Sequence, residues 1–473
     1  MPAIVFPAST APSVNPVENG GRLINAYAEK APTGSRSVFV LRRVPGLDEA
    51  FTVGSAVARG ALVVGTTLYV VVDATAYTVT KAAGVYTVTA LSGSVGGTGL
   101  VTLAHNSKSP TNDIMVVTSA GLHTISGSTV SSFSDADLPS ILHVAYQDGY
   151  FFYPSAFGRC YASDLNDTNI TSTSYVTAES SPDGLVRAVP FHRYLLLMGN
   201  YSTEIWSNVG NATGFPYDRI SVIPLGLFGI NAVAGYEAGF PGPLMWVASN
   251  GKVYSMGDSA PVPVDFPDLE RKIQAITDRT ALRASVFVSA GHSFWVLSSD
   301  DWTFVYDHST GEWHERASYG RDNWRCNFTI NAFDEWLVFD DASAVVYRVN
   351  ERSFREAAGP LVWEVRSTQQ HNFPASTAIS YAAFDFVTGV GLDRGIDPIE
   401  SNPRVSISWS DDGGRTFSSP LLRELGTQGE YQRVEVRRTG TTKGQGRQWR
   451  LQISDPVEAS LIGGSMFGEQ LAV

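Results

Sequence analysis

The residues best suited to chemistry are carboxylates at turns. Ser410-Asp411-Asp412-Gly413-Gly414-Arg415-Thr416-Phe417 matches the Asp-box pattern Ser-x-Asp-x-Gly-x-Thr-aromatic, a motif of sialidases and other β-proteins that is usually repeated. Here it occurs once. Its Asp and Gly shape a tight hairpin turn and its aromatic packs beneath, so the motif itself supplies no catalytic group and is read as structural. Glycoside hydrolysis needs two carboxyl groups facing one bond. The candidate pairs are Asp164 with Asp167, Asp300 with Asp301, and Asp340 with Asp341. Each falls at an expected hairpin turn, where Asp is favoured because its side chain bonds nearby backbone, and the turn reading is the stronger one. The eight histidines are scattered (His105, His123, His143, His192, His292, His308, His314 and His371), with no metal-type spacing and no nearby Cys. His292 and His314 read as surface or packing residues. There is no Gly-x-Ser-x-Gly elbow, dinucleotide fingerprint or phosphate loop; Gly93 to Gly99 lacks the Lys-Ser/Thr ending. The expectation is a non-enzyme with no catalytic residue, metal or cofactor.

Composition narrows the class further. The chain has 473 residues, few of them charged, and is rich in Gly, Ser, Thr, Val, Tyr and Phe, which points to β-structure with many turns. Its net charge is −12. A protein that grips DNA by its phosphates needs excess Lys and Arg, so tight DNA binding is disfavoured, whereas an acidic conduit would let DNA slide without sticking. The basic clusters at Arg42-Arg43, Arg433 to Arg438 and Lys443 to Arg450 read as solvated faces or subunit contacts. Cys160 and Cys326 are too far apart in sequence for a disulfide framework or a zinc spacing, and read as buried free thiols of a reducing compartment. The start, MPAIVFPASTAPSVNP, has no basic region and is broken by prolines; the run Ala61 to Val72 is interrupted by Gly65-Thr66-Thr67. Neither suits a signal peptide or a membrane span, and the expectation is a soluble protein made in a cytoplasm, without membrane insertion.

The elements that would position these residues are strand pairs. An apolar strand, a polar turn and a strand ending in an aromatic recur at Leu68–Val79, Ile114–Ile125, Gly149–Tyr161, Tyr194–Trp206, Leu244–Tyr254, Phe294–Tyr306 and Trp336–Tyr347. The spacing is about 45 residues, the period of a four-stranded propeller blade. The first strand of each pair is apolar on both faces, as a strand sandwiched between blades must be. Tyr77, Tyr161, Trp206, Tyr254, Tyr306 and Tyr347 suit the gaps between blades; the unit around Leu122 lacks such a residue. The predicted fold is all-β: a propeller of about seven blades, with six the alternative, over residues 51–360. The competing reading is an irregular β-sandwich with evenly spaced strands.

Residues 1–50 read as an extended arm, with one short strand at Asn25–Glu29 and a clear step at Leu41-Arg42-Arg43-Val44-Pro45-Gly46-Leu47. After Gly359-Pro360 the rhythm changes. Phe384–Val390, Arg404–Trp409, Tyr431–Arg437 and Gln448–Ser454 alternate as antiparallel strands, predicting a C-terminal β-sandwich over 361–473. One helix is expected at Pro267–Ile276, with Leu269, Ile273 and Ile276 on one face and Asp265 or Asp268 as cap. Its apolar face would pack on the disc or against a neighbouring subunit.

Ala178-Glu179-Ser180-Ser181-Pro182-Asp183-Gly184, followed by Ser202-Thr203-Glu204-Ile205-Trp206 and Gly210, resembles the tail hub, or packaged-DNA stabilisation, proteins of short-tailed bacteriophages. The Val44-Pro45-Gly46-Leu47 step, the Asp412-Gly413-Gly414 turn, Trp449-Arg450-Leu451 and Ser454-Asp455-Pro456-Val457 fit the same family. The resemblance implies a structural virion protein assembled in the host cytoplasm. It would form a homo-oligomeric ring, a hexamer, below the portal and its adaptor. That ring would extend the DNA channel, help retain packaged DNA, and dock needle, spike or fibre proteins. The loop residues Glu179, Ser181, Pro182, Asp183 and Gly184 are the part the repeat does not explain, and are the expected interface. The alternative function is a propeller glycosidase or carbohydrate-binding protein.

Overall fold

The computed structural model describes residues 3–13, 15, 18, 20–178, 184–211, 213–257 and 260–471. Seven four-stranded antiparallel blades follow one another, five as separate sheets and the last two as parts of a nine-stranded and a six-stranded sheet. The first six blades lie within 58–90, 102–133, 145–177, 185–223, 233–263 and 283–315. Each expected strand pair forms the second and third strands of a blade: Thr67–Val72 with Thr75–Ala82 in blade 1, Tyr194–Gly199 with Thr203–Asn208 in blade 4, Glu335–Asp340 with Val345–Asn350 in blade 7. The first strands of the blades lie around a common axis, and that of blade 7, Cys326–Ala332, returns to lie against Ala58–Val64 of blade 1.

Alternation along the second strands shows why both faces are apolar. Val70 and Val72 pack with Leu337 and Phe339 of blade 7, while Val71 between them packs with Ile114 and Val116 of blade 2. Met115 and Val117 then face Phe151 and Tyr153 of blade 3, whose intervening Phe152 joins Leu195 and Leu197 of blade 4. Successive side chains of a strand point to opposite faces, so one strand serves two inter-blade cores. Tyr161 and Trp206 are buried between blades as expected.

The fourth strand of blade 7 comes from the beginning of the chain. Gly46–Thr52 pairs antiparallel with Val345–Asn350, with Leu47 opposite Val349. The ring is thus closed by hydrogen bonds between residues about three hundred positions apart, not by a covalent turn. The rest of the first fifty residues also forms strands. Ala26–Lys30 and Phe39–Arg43 extend a sheet with Ser460–Gln470, Thr377–Phe386 and Val434–Thr441, and Ala3–Ile4 pairs on its Ser460–Gln470 strand. Arg22–Ile24 starts the facing sheet, followed by Trp363–Arg366, Gln448–Ile453, Arg404–Ser410 and Leu421–Glu424. Between these sheets lie Trp363, Phe384, Trp449, Leu451 and Ile453. The C-terminal sandwich therefore incorporates N-terminal strands, where the sequence suggested an irregular arm. Their patterns are short and their partners distant, so local periodicity does not reveal them. Arg22–Ile24 also runs parallel to Glu312–Glu315 of blade 6, joining the two domains in one sheet.

The helix is Pro267–Gln274, in the connection from blade 5 to blade 6. Leu269 and Ile273 are buried in the main propeller core, so this face packs on the disc. Its N-cap is Phe266, without a side-chain cap; neither Asp265 nor Asp268 fills that role. Proline at the first helical position needs no N–H partner and presets the backbone, which makes a cap less necessary here.

Candidate functional site

The expected interface loop leaves the outermost strand of blade 3, Ile170–Thr177, and enters the innermost strand of blade 4, Leu185–Phe191. Glu179, Ser181, Pro182 and Asp183 lie outside the described residues. Gly184 is described. Its carbonyl accepts the Asn200 side-chain amide at 3.0 Å, and a Cβ at this position would stand 2.4 Å from the Ala156 carbonyl oxygen. Gly184 is thus required for the close passage of two loops on one face of the disc.

The carboxylate candidates resolve into turns and ion pairs. Asp164 accepts from Asn169 and Thr171, and Asp167 accepts the backbone N–H of Thr168 at 2.7 Å. Asp300 pairs with Arg283 at 3.2 Å, and Asp341 with Arg321. Asp340 is buried and takes both ends of the Arg325 guanidinium, at 2.9 and 3.0 Å. In the Asp box, Asp412 accepts Ser410 Oγ at 2.6 Å, the N–H groups of Arg415 and Thr416 at 3.0 and 2.9 Å, and Thr416 Oγ1. These bonds hold its carboxyl well below the usual range, the Ser410 and Thr416 hydroxyls contributing most. Phe417 packs under the Arg450 guanidinium, 4.1 Å from its ring centroid. Asp412→Ala removes a local cap-like acceptor and is expected to cost about 1 kcal/mol, with faster amide exchange confined to 410–417; urea denaturation and hydrogen exchange check it.

Arg447 of the basic stretch is buried and forks onto Asp411 at 2.7 and 2.8 Å. Arg43 is also buried, donating to the carbonyls of Ile453, Asp455 and Val457. These two arginines are interior ties rather than solvated faces. Arg42 does reach the surface, pairing with Glu29 and Glu458.

The most elaborate polar arrangement is the passage from sandwich to propeller at Asn25–Leu47. Asn25 adopts φ 52°, which Asn tolerates better than most residues, and is buried. Its amide donates to the carbonyls of Ala317 and Val362 at 2.8 and 2.9 Å, and its backbone carbonyl accepts the Val44 N–H at 3.1 Å. One side chain thus ties the link between blades 6 and 7 to the link into the sandwich. The next residues form a latch. Pro45 offers its carbonyl to the fully buried Arg316 at 2.8 Å. Gly46 passes so close to Ser353 and Arg355 that a Cβ would stand 2.4 Å from each carbonyl oxygen, and Leu47 is fully buried. Arg316 lies 3.8 Å over Trp324 and 3.8 Å from Glu356, which accepts the Trp324 indole N–H at 2.9 Å. Burial pulls the Arg316 pKa down to about 10, against the attraction of Glu356. The Val-Pro-Gly-Leu step stands out in sequence; Asn25 and Arg316 carry no local signal.

This architecture agrees with two family models. Residues 22–353 match "Bacteriophage P22 Gp10, beta-propeller", and residues 371–469 match "Bacteriophage P22 Gp10, beta-sandwich". The chain belongs to the bacteriophage P22 Gp10 family. This is a family of short-tailed phage tail hub and stabilisation proteins, and the chain is accordingly a phage tail structural protein and a virion component. The Gp10 propeller match begins at Arg22, so it includes the strand Gly46–Thr52 that closes blade 7. No curated protein matches. Among solved structures, the WD40 propeller domain of Doa1 is 11% identical, with a TM-score of 0.40 over 64% of this chain and 96% of that one. PorZ of Porphyromonas gingivalis is 10% identical, with a TM-score of 0.38 over 71% of this chain and 44% of that one. YCF48 bound to D1 peptide is 12% identical, with a TM-score of 0.39 over 65% and 97%.

Proposed function

We propose that the protein is the protomer of a tail hub ring of about six copies, a closed cyclic assembly of the kind homo-oligomers favour. The ring docks below the portal–adaptor complex, extends the DNA channel, helps retain packaged DNA and receives needle, spike or fibre proteins. The observation that carries this reading is the Gp10 family match across both domains. The net charge of −12 suits a wall along which DNA slides without being held. The sandwich carries exposed Val38, Phe373, Tyr431 and Phe467, the side chains that a subunit contact would cover.

The test is assembly. Purified protein mixed with portal–adaptor complexes is expected to form rings visible by electron microscopy, and particles made without it to leak DNA. A protein that leaves those complexes bare, with particles that keep their DNA, overturns the reading. Replacing Pro182-Asp183 with Ser-Ser, with Gly184 kept, is expected to abolish ring assembly while the thermal unfolding midpoint of the protomer stays within a few degrees, about 1 kcal/mol. Normal assembly of that variant refutes the interface assignment alone.

A further inference from the structure

The inner strands of the propeller enclose a cavity of about 540 Å³. Its lining residues include three arginines, Arg59 of blade 1, Arg187 of blade 4 and Arg283 of blade 6, and the acidic Glu237. Arg59 is held by backbone carbonyls only, those of Asp73 and Gly99 at 2.7 Å and Gly96 at 3.3 Å. Arg187 donates to the Ile230 carbonyl at 2.7 Å and to the Tyr236 hydroxyl, and its buried Nε has no partner. Among the described residues Arg283 pairs only with Asp300, whose side chain is 73% exposed, and its Nε is likewise buried and unpaired. His143, also lining the cavity, is buried with Nδ1 unpaired.

Backbone ties account for Arg59 as a structural residue, but not for the other two. Buried charge is costly unless paired, and buried donors are normally satisfied. Glu237 is a weak counter-charge: burial raises its pKa, and its carboxylate already accepts the Gly235 N–H at 2.6 Å. The chain as a whole is acidic, so this cationic axis runs against its general charge. Planar guanidinium forks are suited to oxyanions such as phosphate.

We propose that the axial cavity binds a phosphate-type oxyanion, held by Arg187 and Arg283 of blades 4 and 6. The volume is within the range of small-molecule sites and admits free phosphate or a nucleoside monophosphate. A bound ion bridges blades 4 and 6 and stiffens the disc.

The test uses the full chain at pH 7, titrated with inorganic phosphate or AMP against chloride at matched ionic strength, and read by calorimetry and thermal unfolding. Saturable binding with a rise in the unfolding midpoint is expected for at least one ligand, and which of the two binds identifies the source of the phosphate. Arg187→Gln and Arg283→Gln are each expected to weaken it at least tenfold, and Glu237→Gln to tighten it. Arg283 lies at the cavity rim, so its variant keeps the test valid where Arg187→Gln fails to fold. No binding beyond the chloride control, or equal binding by folded Arg283→Gln, overturns the proposal.

Discussion

Arg316→Ala is expected to destabilise the protein by about 3–5 kcal/mol, because it leaves a buried carboxylate without its cation. Glu356 is 3% exposed and its Oε2 has no hydrogen-bond partner, so solvent does not take over the stabilisation that Arg316 gives its charge. The same substitution removes the stack on Trp324 and the donor to Pro45. It acts where the closing strand Gly46–Thr52 enters blade 7, so the loss is expected to open the ring between its first and last blades. Arg316→Met combined with Glu356→Gln keeps the volume and removes both charges. That double variant is expected to be more stable than Arg316→Ala, since two well-packed neutral residues avoid the desolvation of an unpaired ion. Urea denaturation of the wild type and the variants measures the differences. A loss below about 1 kcal/mol for Arg316→Ala shows that the latch does not depend on this pair.

Acidification from pH 7 to 5 is expected to destabilise the protein by about 2 kcal/mol for each histidine buried in neutral form. Burial pulls His314 down to about 3 and His308 to about 4. His143 is also held well below its ordinary value, by burial and then by Arg187. In the unfolded chain each titrates near 6.5. Between that value and the folded pKa the unfolded state binds a proton that the folded state refuses, so stability falls as pH falls, by about 1.4 kcal/mol per unit per histidine. The loss from His314 stops growing below about pH 3, where the folded form also protonates. Asp307 adds a later loss. Burial opposes its ionisation, but His292 at 2.7 Å and the Ser309 N–H hold its pKa below the ordinary value. His314→Gln is expected to flatten the stability profile between pH 4 and 6.5 by about 1.4 kcal/mol per unit. Denaturation midpoints across that range check it, and an unchanged slope would exclude His314 as a source.

The central strand pairs were legible because their signal is local. Val70-Val71-Val72 and Leu195-Leu196-Leu197 are continuous apolar runs since each faces a core on both sides. The outermost strands are harder to read. Tyr217–Ile223 of blade 4 has five consecutive exposed residues, with Ile220 and Val222 among polar neighbours, so its composition shows little of its pairing. Ser460–Gln470 is interrupted by Gly463, Gly464 and Gly468, which lower strand propensity. Yet a Cβ at Gly468 would stand 2.7 Å from the Ala378 carbonyl oxygen, so close packing requires the glycine that obscures the strand. The Asp box and the Asp164-Asp167 turn were legible because Asp bonds backbone within a few residues, whereas the arginine partners of Asp300, Asp340 and Asp341 are set by the fold.

Sequence alone determined the all-β class, the seven repeated units, the structural character of the turn carboxylates, and a resemblance that the Gp10 family matches bear out. Each depends on residues close together in the chain. Tertiary structure decided how the ring closes, that strands from the first fifty residues belong to both domains, and which arginines are interior. It also decided that arginines from blades 1, 4 and 6 line one cavity. Pairing Leu47 with Val349, or Arg316 with Pro45 and Glu356, depends on the path of the whole chain around the axis, which no local pattern encodes.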